Sequence, residues 1–169
     1  TQDGRVLQAT TDTVWQWTNL KRAARIDGIH LEVVSAFRSI DYQRQLIERK
    51  LASGERPNQI LQVVALPGYS EHHTGYALDI VTTDAPLLTE DFEHSDGFAW
   101  LSNTAHQFGF SLSYPRDNPL GFLYEPWHWR FQCALAVYLA HFPGALVNHT
   151  AGHRQSAFSR TFSGVNVAL

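Results

Sequence analysis

The stretch GYSEHHTGYALDI, residues 68–80, constrains this chain more than any other, because it crowds two histidines, a glutamate and an aspartate onto the entry to an apolar strand. Strand periodicity puts Tyr76, Leu78 and Ile80 on one side and Ala77, Asp79 and Val81 on the other, so Asp79 lies opposite a large apolar trio. His72 precedes the strand, and a glycine turn at Gly75 can bring it toward the same point as Asp79. His73 then faces elsewhere.

The remaining segments supply helices and strands around this one. In TDTVWQWTNLKRAARI, residues 11–26, Val14, Trp17, Leu20 and Ala24 share a face, and Thr11 or Asp12 stands where a cap belongs. The spacing predicts a helix closed by Gly28. IHLEVVSAF predicts a strand ending near Arg38, and SIDYQRQLIERKLASG a second helix capped by Ser39 and stopped by Gly54. Pro57, Pro67 and Gly68 make residues 55–68 an irregular connection with one short helix. After an acidic loop at residues 84–96, GFAWLSNTAHQFG predicts a helix ended by Gly109 and FSLSY a strand. YEPWHWRF alternates Trp127, Trp129 and Phe131 against His128 and Arg130, which is strand periodicity, and an apolar helix runs on to about Phe142. The expectation is a single α+β domain over residues 1–169, its motif-bearing core at about 28–142, with helices flanking a central, mainly antiparallel sheet.

Two histidines and a carboxylate suffice for a zinc site that keeps its fourth position open. His72 and Asp79 come from one segment, and His128 is the attractive third ligand because strand alternation turns it away from the aromatics. Glu125 lies three residues earlier, and a regular strand would send it to the opposite face. Pro126 supplies the irregularity that can turn Glu125 back toward the same cleft.

SEHHTGYALD fits S-x-H-x-x-G-x-A-x-D and EPWHW fits E-x-x-H, and in both the chain resembles the zinc D-alanyl-D-alanine carboxypeptidases of the lysostaphin/D-Ala-D-Ala metallopeptidase/hedgehog superfamily. SAFRSIDYQ resembles the family's S-x-x-R-S-x-x-Y-Q element, and FGFSLSYP its region before the last strand. The resemblance covers roughly residues 30–131 in order. It implies one zinc per chain in a surface cleft, held by His72, Asp79 and His128, with Glu125 as catalytic base and Arg38, Gln43 and Ser70 around the substrate. Arg38 would stabilise an oxyanion or hold a terminal carboxylate. The implied activity is metallocarboxypeptidase removal of the C-terminal D-alanine from peptidoglycan stem peptides. L,D-carboxypeptidase action on tetrapeptide stems and cross-link endopeptidase action are the alternatives within the enzyme class, and a zinc-dependent binding module is the alternative outside it. A muropeptide substrate implies action at the periplasmic or extracellular cell envelope, with the signal segment absent from this chain, and a monomer is expected.

Composition supports that class by exclusion. A formal charge of −3 without a basic block removes the footprint of a nucleic-acid binder. No apolar run of 18 residues spans a membrane. The lone cysteine, Cys133, lies in an apolar run and reads as packing, as do Trp15, Trp17 and Trp100. His149 and His153 have helical ligand spacing, but Gly152 between them and the lack of a glutamate make the motif weak.

Overall fold

The computed structural model describes residues 6–82 and 88–132. Cys133, the apolar helix expected up to Phe142, and the His149/His153 pair lie outside the described residues.

Helix α1 spans Thr11–Ile26 and is capped one residue earlier than expected, by Thr10, whose hydroxyl accepts the Thr13 N–H at 3.3 Å. Trp17, Leu20 and Ala24 form its buried stripe. Trp15 does not belong to it. Two residues on a helix are about 200° apart, so burying Trp17 turns Trp15 outward, where it is 67% exposed.

Strand β1 (Leu31–Ser35) leads into α2 (Ile40–Ala52), whose cap is Ser39, and the irregular connection holds one turn of helix, α3 (Pro57–Ile60). A 3-10 turn, Glu71–Thr74, then delivers the chain into β2 (Ala77–Thr82). Gly75 closes that turn at φ +71°, a conformation that strains any other residue, and its carbonyl accepts the Thr10 N–H. The acidic segment contains a 3-10 turn at Glu90–His94. The helix expected up to Gly109 is two elements: α4 (Asp96–Thr104) and a tighter 3-10 turn, Ala105–Phe108. The break falls where Asn103 and Thr104, poor helix formers, follow one another, and Thr104 leaves helical dihedrals at φ −122°. Strands β3 (Phe110–Leu112) and β4 (His128–Phe131) are shorter than their sequence patterns. The residues ahead of β4 form a turn instead, closed by His128 N–H to the Glu125 carbonyl at 3.1 Å, with Pro126 in the position where its fixed φ is favoured.

All pairings are antiparallel, in the order β1-β2-β4-β3. The last of these four strands in sequence therefore sits inside the sheet. The register aligns Ser35, Asp79 and His128 across three neighbouring strands. β1 bulges between Val33 and Ser35, a device that re-aims side chains beside functional sites. Leu78, Ile80 and Trp129 pack with Trp17, Leu101 and Phe110 into one core, each large side chain contributing about 1.5–3 kcal/mol by leaving water. α4 lies so close to the sheet that a Cβ on Gly97 would stand 2.2 Å from Thr82 Cγ2. Among the described residues no helix is long and apolar enough to cross a membrane.

Candidate metal centre and its cleft

The expected ligands converge. One nitrogen or oxygen from each of His72, Asp79 and His128 lies within 4.8 Å of the others, and all three side chains are buried. His72 comes from the 3-10 turn, Asp79 from β2 and His128 from the start of β4. The turn fixes His72 by placing its Nδ1 2.6 Å from the Ala36 carbonyl. A carbonyl only accepts, so Nδ1 carries a proton, and in the neutral imidazole Nε2 then presents a lone pair. That lone pair faces Asp79 Oδ1 at 3.3 Å.

Two acceptors facing each other in a buried site demand a cation between or beside them, which is the observation that makes a metal fit here. Without one, the charge falls on His128. Burial works against its protonation, but hydrogen bonds to Asp79 and Glu71 outweigh it and push the imidazole up to about 9. Burial lowers His72, only partly offset by Asp79, which keeps it neutral. Asp79 is held well below the ordinary carboxylate range: burial would raise it, and the two histidines overcome that.

Glu125 stands beside the trio, its Oε2 3.8 Å from His128 Nδ1, because the Pro126 turn swings it onto the same side. Burial pushes its carboxyl up to about 7, with His128 opposing and Asp79 adding to the rise. A carboxylate with that proton affinity, at a cleft wall, suits proton transfer near neutral pH. The cleft has a volume of about 550 Å³, and Arg38, Gln43, Ser70 and Glu125 all line it with the three cluster residues.

Arg38 donates from Nη2 to Asp79 Oδ2 at 2.7 Å and from Nε to Ser35 Oγ at 3.0 Å, so it buttresses the aspartate as well as facing the cleft. Gln43 is 1% exposed; its Nε2 donates to the Ala65 carbonyl and its Oε1 has no hydrogen-bond partner among the described residues. Ser70 caps the 3-10 turn, its hydroxyl accepting the His72 N–H at 3.3 Å. His73 is outside the cluster, as expected, and ties Arg38 to the turn: Nδ1 donates to the Arg38 carbonyl and Nε2 accepts the Gly68 N–H.

Two residues of the site were not anticipated. Glu71 reaches from the 3-10 turn to His128 Nε2 at 3.0 Å. Tyr114 lies against the His128 ring with centroids 4.7 Å apart, and burial together with the nearby carboxylates keeps its phenol protonated. Neither has a signal in local spacing: Glu71 meets His128 across 57 positions of sequence, and Tyr114 meets its ring only once β3 has paired with β4.

The sequence model of the family described as VanY, D-alanyl-D-alanine carboxypeptidase, matches residues 7–134. The putatively assigned carboxypeptidase YodJ of Bacillus subtilis is 35% identical over 113 residues, covering 64% of this chain and 41% of its own. The chain spans about two fifths of the length of the first curated relatives it matches. Among solved structures, the LdcB LD-carboxypeptidase superposes with a TM-score of 0.69 at 28% identity, over 79% of this chain and 64% of that one. The vancomycin resistance D,D-pentapeptidase VanY, in complex with Zn(II), superposes with a TM-score of 0.62 at 27% identity, over 83% and 87% of the two chains.

Proposed function

Because this chain belongs to the D-alanyl-D-alanine carboxypeptidase family, we infer that it is a zinc peptidase removing the C-terminal D-alanine from peptidoglycan stem peptides. The observation that carries the reading is the buried His72–Asp79–His128 cluster with Glu125 beside it on the wall of an open cleft. The likeness to a Zn(II)-containing D,D-pentapeptidase supports it.

His72, Asp79 and His128 would hold the zinc, which when bound would supply Lewis acidity toward the scissile carbonyl and toward water. The chain's own groups do the rest. Glu125 takes a proton from the attacking water and returns it to the leaving amine, a role for which its raised proton affinity suits it. Arg38, fixed by Ser35 and Asp79, keeps guanidinium N–H groups for the substrate's terminal carboxylate or the oxyanion. Gln43 Oε1, which has no partner among the described residues, accepts a substrate N–H, and Ser70 lines the same pocket. The reading places the protein in the periplasm or outside the cell, where stem peptides are, as a monomer with one zinc.

The likeness to LdcB favours a second specificity, L,D-carboxypeptidase action on tetrapeptide stems. Incubation with pentapeptide and tetrapeptide muropeptides, followed by mass, separates the two. Loss of one D-alanine from the pentapeptide alone supports D,D-action; loss from the tetrapeptide alone supports L,D-action; cleavage of neither refutes the carboxypeptidase reading.

A further inference from the structure

Glu71 joins the two halves of the site. Its backbone belongs to the turn that presents His72, while its carboxylate lies against β4, with Oε2 3.0 Å from His128 Nε2 and Oε1 3.6 Å from Arg130 Nη1. Ser113 hydrogen-bonds the same carboxylate. On the other side of the His128 ring, Nδ1 faces Asp79 Oδ1 at 3.0 Å. A neutral imidazole offers a lone pair on one nitrogen only when the other keeps the proton, and a carboxylate is an acceptor that keeps it there. The contact also opposes a flip of the ring, which would exchange each nitrogen with a carbon.

We propose that Glu71 is a positioning residue of the metal centre: its carboxylate holds the His128 proton on Nε2 and leaves Nδ1 with its lone pair turned toward His72 and Asp79. The proposal rests on the zinc reading above. It makes the two histidines complementary. His72 keeps its proton on Nδ1 against a neutral backbone carbonyl and offers Nε2; His128 keeps its proton on Nε2 against a charged side chain and offers Nδ1. A charged partner makes an imidazole a more basic ligand than a carbonyl does, so Glu71 contributes to the strength of binding as well as to its direction. Arg130 and Ser113 hold Glu71 in place from the far side.

The test uses Glu71→Ala, which removes the acceptor, and Glu71→Gln, which keeps an acceptor oxygen without the charge. Zinc affinity is measured by competition with a chromophoric chelator, and long-range ¹H–¹⁵N spectra of the zinc-loaded proteins assign the protonated nitrogen of His128. Wild type should carry a slowly exchanging proton on Nε2. Glu71→Ala should bind zinc about 10–100-fold more weakly and lose that slow exchange, while Glu71→Gln should fall between them and retain it. Wild-type zinc affinity in Glu71→Ala, or a zinc-loaded wild type protonated on Nδ1, overturns the proposal. If Glu71→Ala does not fold, Glu71→Gln decides, because unchanged affinity there overturns it equally. A wild-type protein that takes up no zinc overturns the metallopeptidase reading itself, which is how the two failures are told apart.

Discussion

Glu125 ought to destabilise the protein that it serves. Its carboxyl sits at about 7 against an ordinary 4.5, chiefly because burial penalises the charge. A carboxylate whose proton affinity rises on folding makes the native state bind more protons than the unfolded chain between these two values. Stability attributable to this group is therefore intact below pH 4.5, falls as pH rises toward 7, and levels off above it. The difference of 2.5 pH units corresponds to about 3 kcal/mol, at about 1.4 kcal/mol per unit. Replacing Glu125 by the isosteric, neutral glutamine removes the penalty. In metal-free protein, urea unfolding should show Glu125→Gln and wild type within about half a kcal/mol near pH 4.5, with the variant about 3 kcal/mol more stable at pH 8. That gap moves the urea midpoint by about 1–3 M. The same variant should lose about 10²-fold or more in turnover, so stability and activity move in opposite directions. A stability difference that does not change with pH, or a variant weaker than wild type at pH 8, would refute the reasoning.

Three further outcomes follow from the site and the core. Elemental analysis of protein purified without added metal should find about one zinc per chain, and His72→Ala and His128→Ala should each lose it. Amidating the terminal D-alanine of a muropeptide should lower kcat/KM by at least about tenfold, and Arg38→Lys should not restore full activity on the free acid, since a point charge does not reproduce a planar fork; equal turnover of the two substrates would move the endopeptidase alternative to first place. Gly97→Ala should destabilise by about 1–3 kcal/mol in urea unfolding without changing zinc content, because the added Cβ overpacks the contact between α4 and Thr82.

Local chemistry made much of this legible. The stripe of Trp17, Leu20 and Ala24, the Ser39 cap and the left-handed glycines at 28, 75 and 109 are where residue type alone placed them. Pro126 likewise announced the bend that brings Glu125 and His128 to one side, since a proline cannot continue the ladder. Trp15 misled because an aromatic in an apolar helix looks like core until the phase of the helix is fixed by its neighbours. The strand order was not legible, since it depends on pairings between residues as far apart as Asp79 and His128. Glu71 was lost for the same reason: beside His72 it reads as an acidic residue in a first turn, and only the docking of β4 gives it a partner.

The position of β4 gives the order of assembly a chemical meaning. Though last of the four in sequence, it lies between β2 and β3, so the sheet stays open until this strand slots in. His72 and Asp79 reach the site early in the chain, whereas Glu125 and His128 arrive only with that final strand. A chain cut before residue 125 keeps two of the three proposed zinc ligands and lacks the proposed base. Long-range strand insertion is slow to form and is completed late, so the proposed hydrolytic activity would switch on at the closing step of folding, and zinc uptake by a refolding chain would time the insertion of one strand.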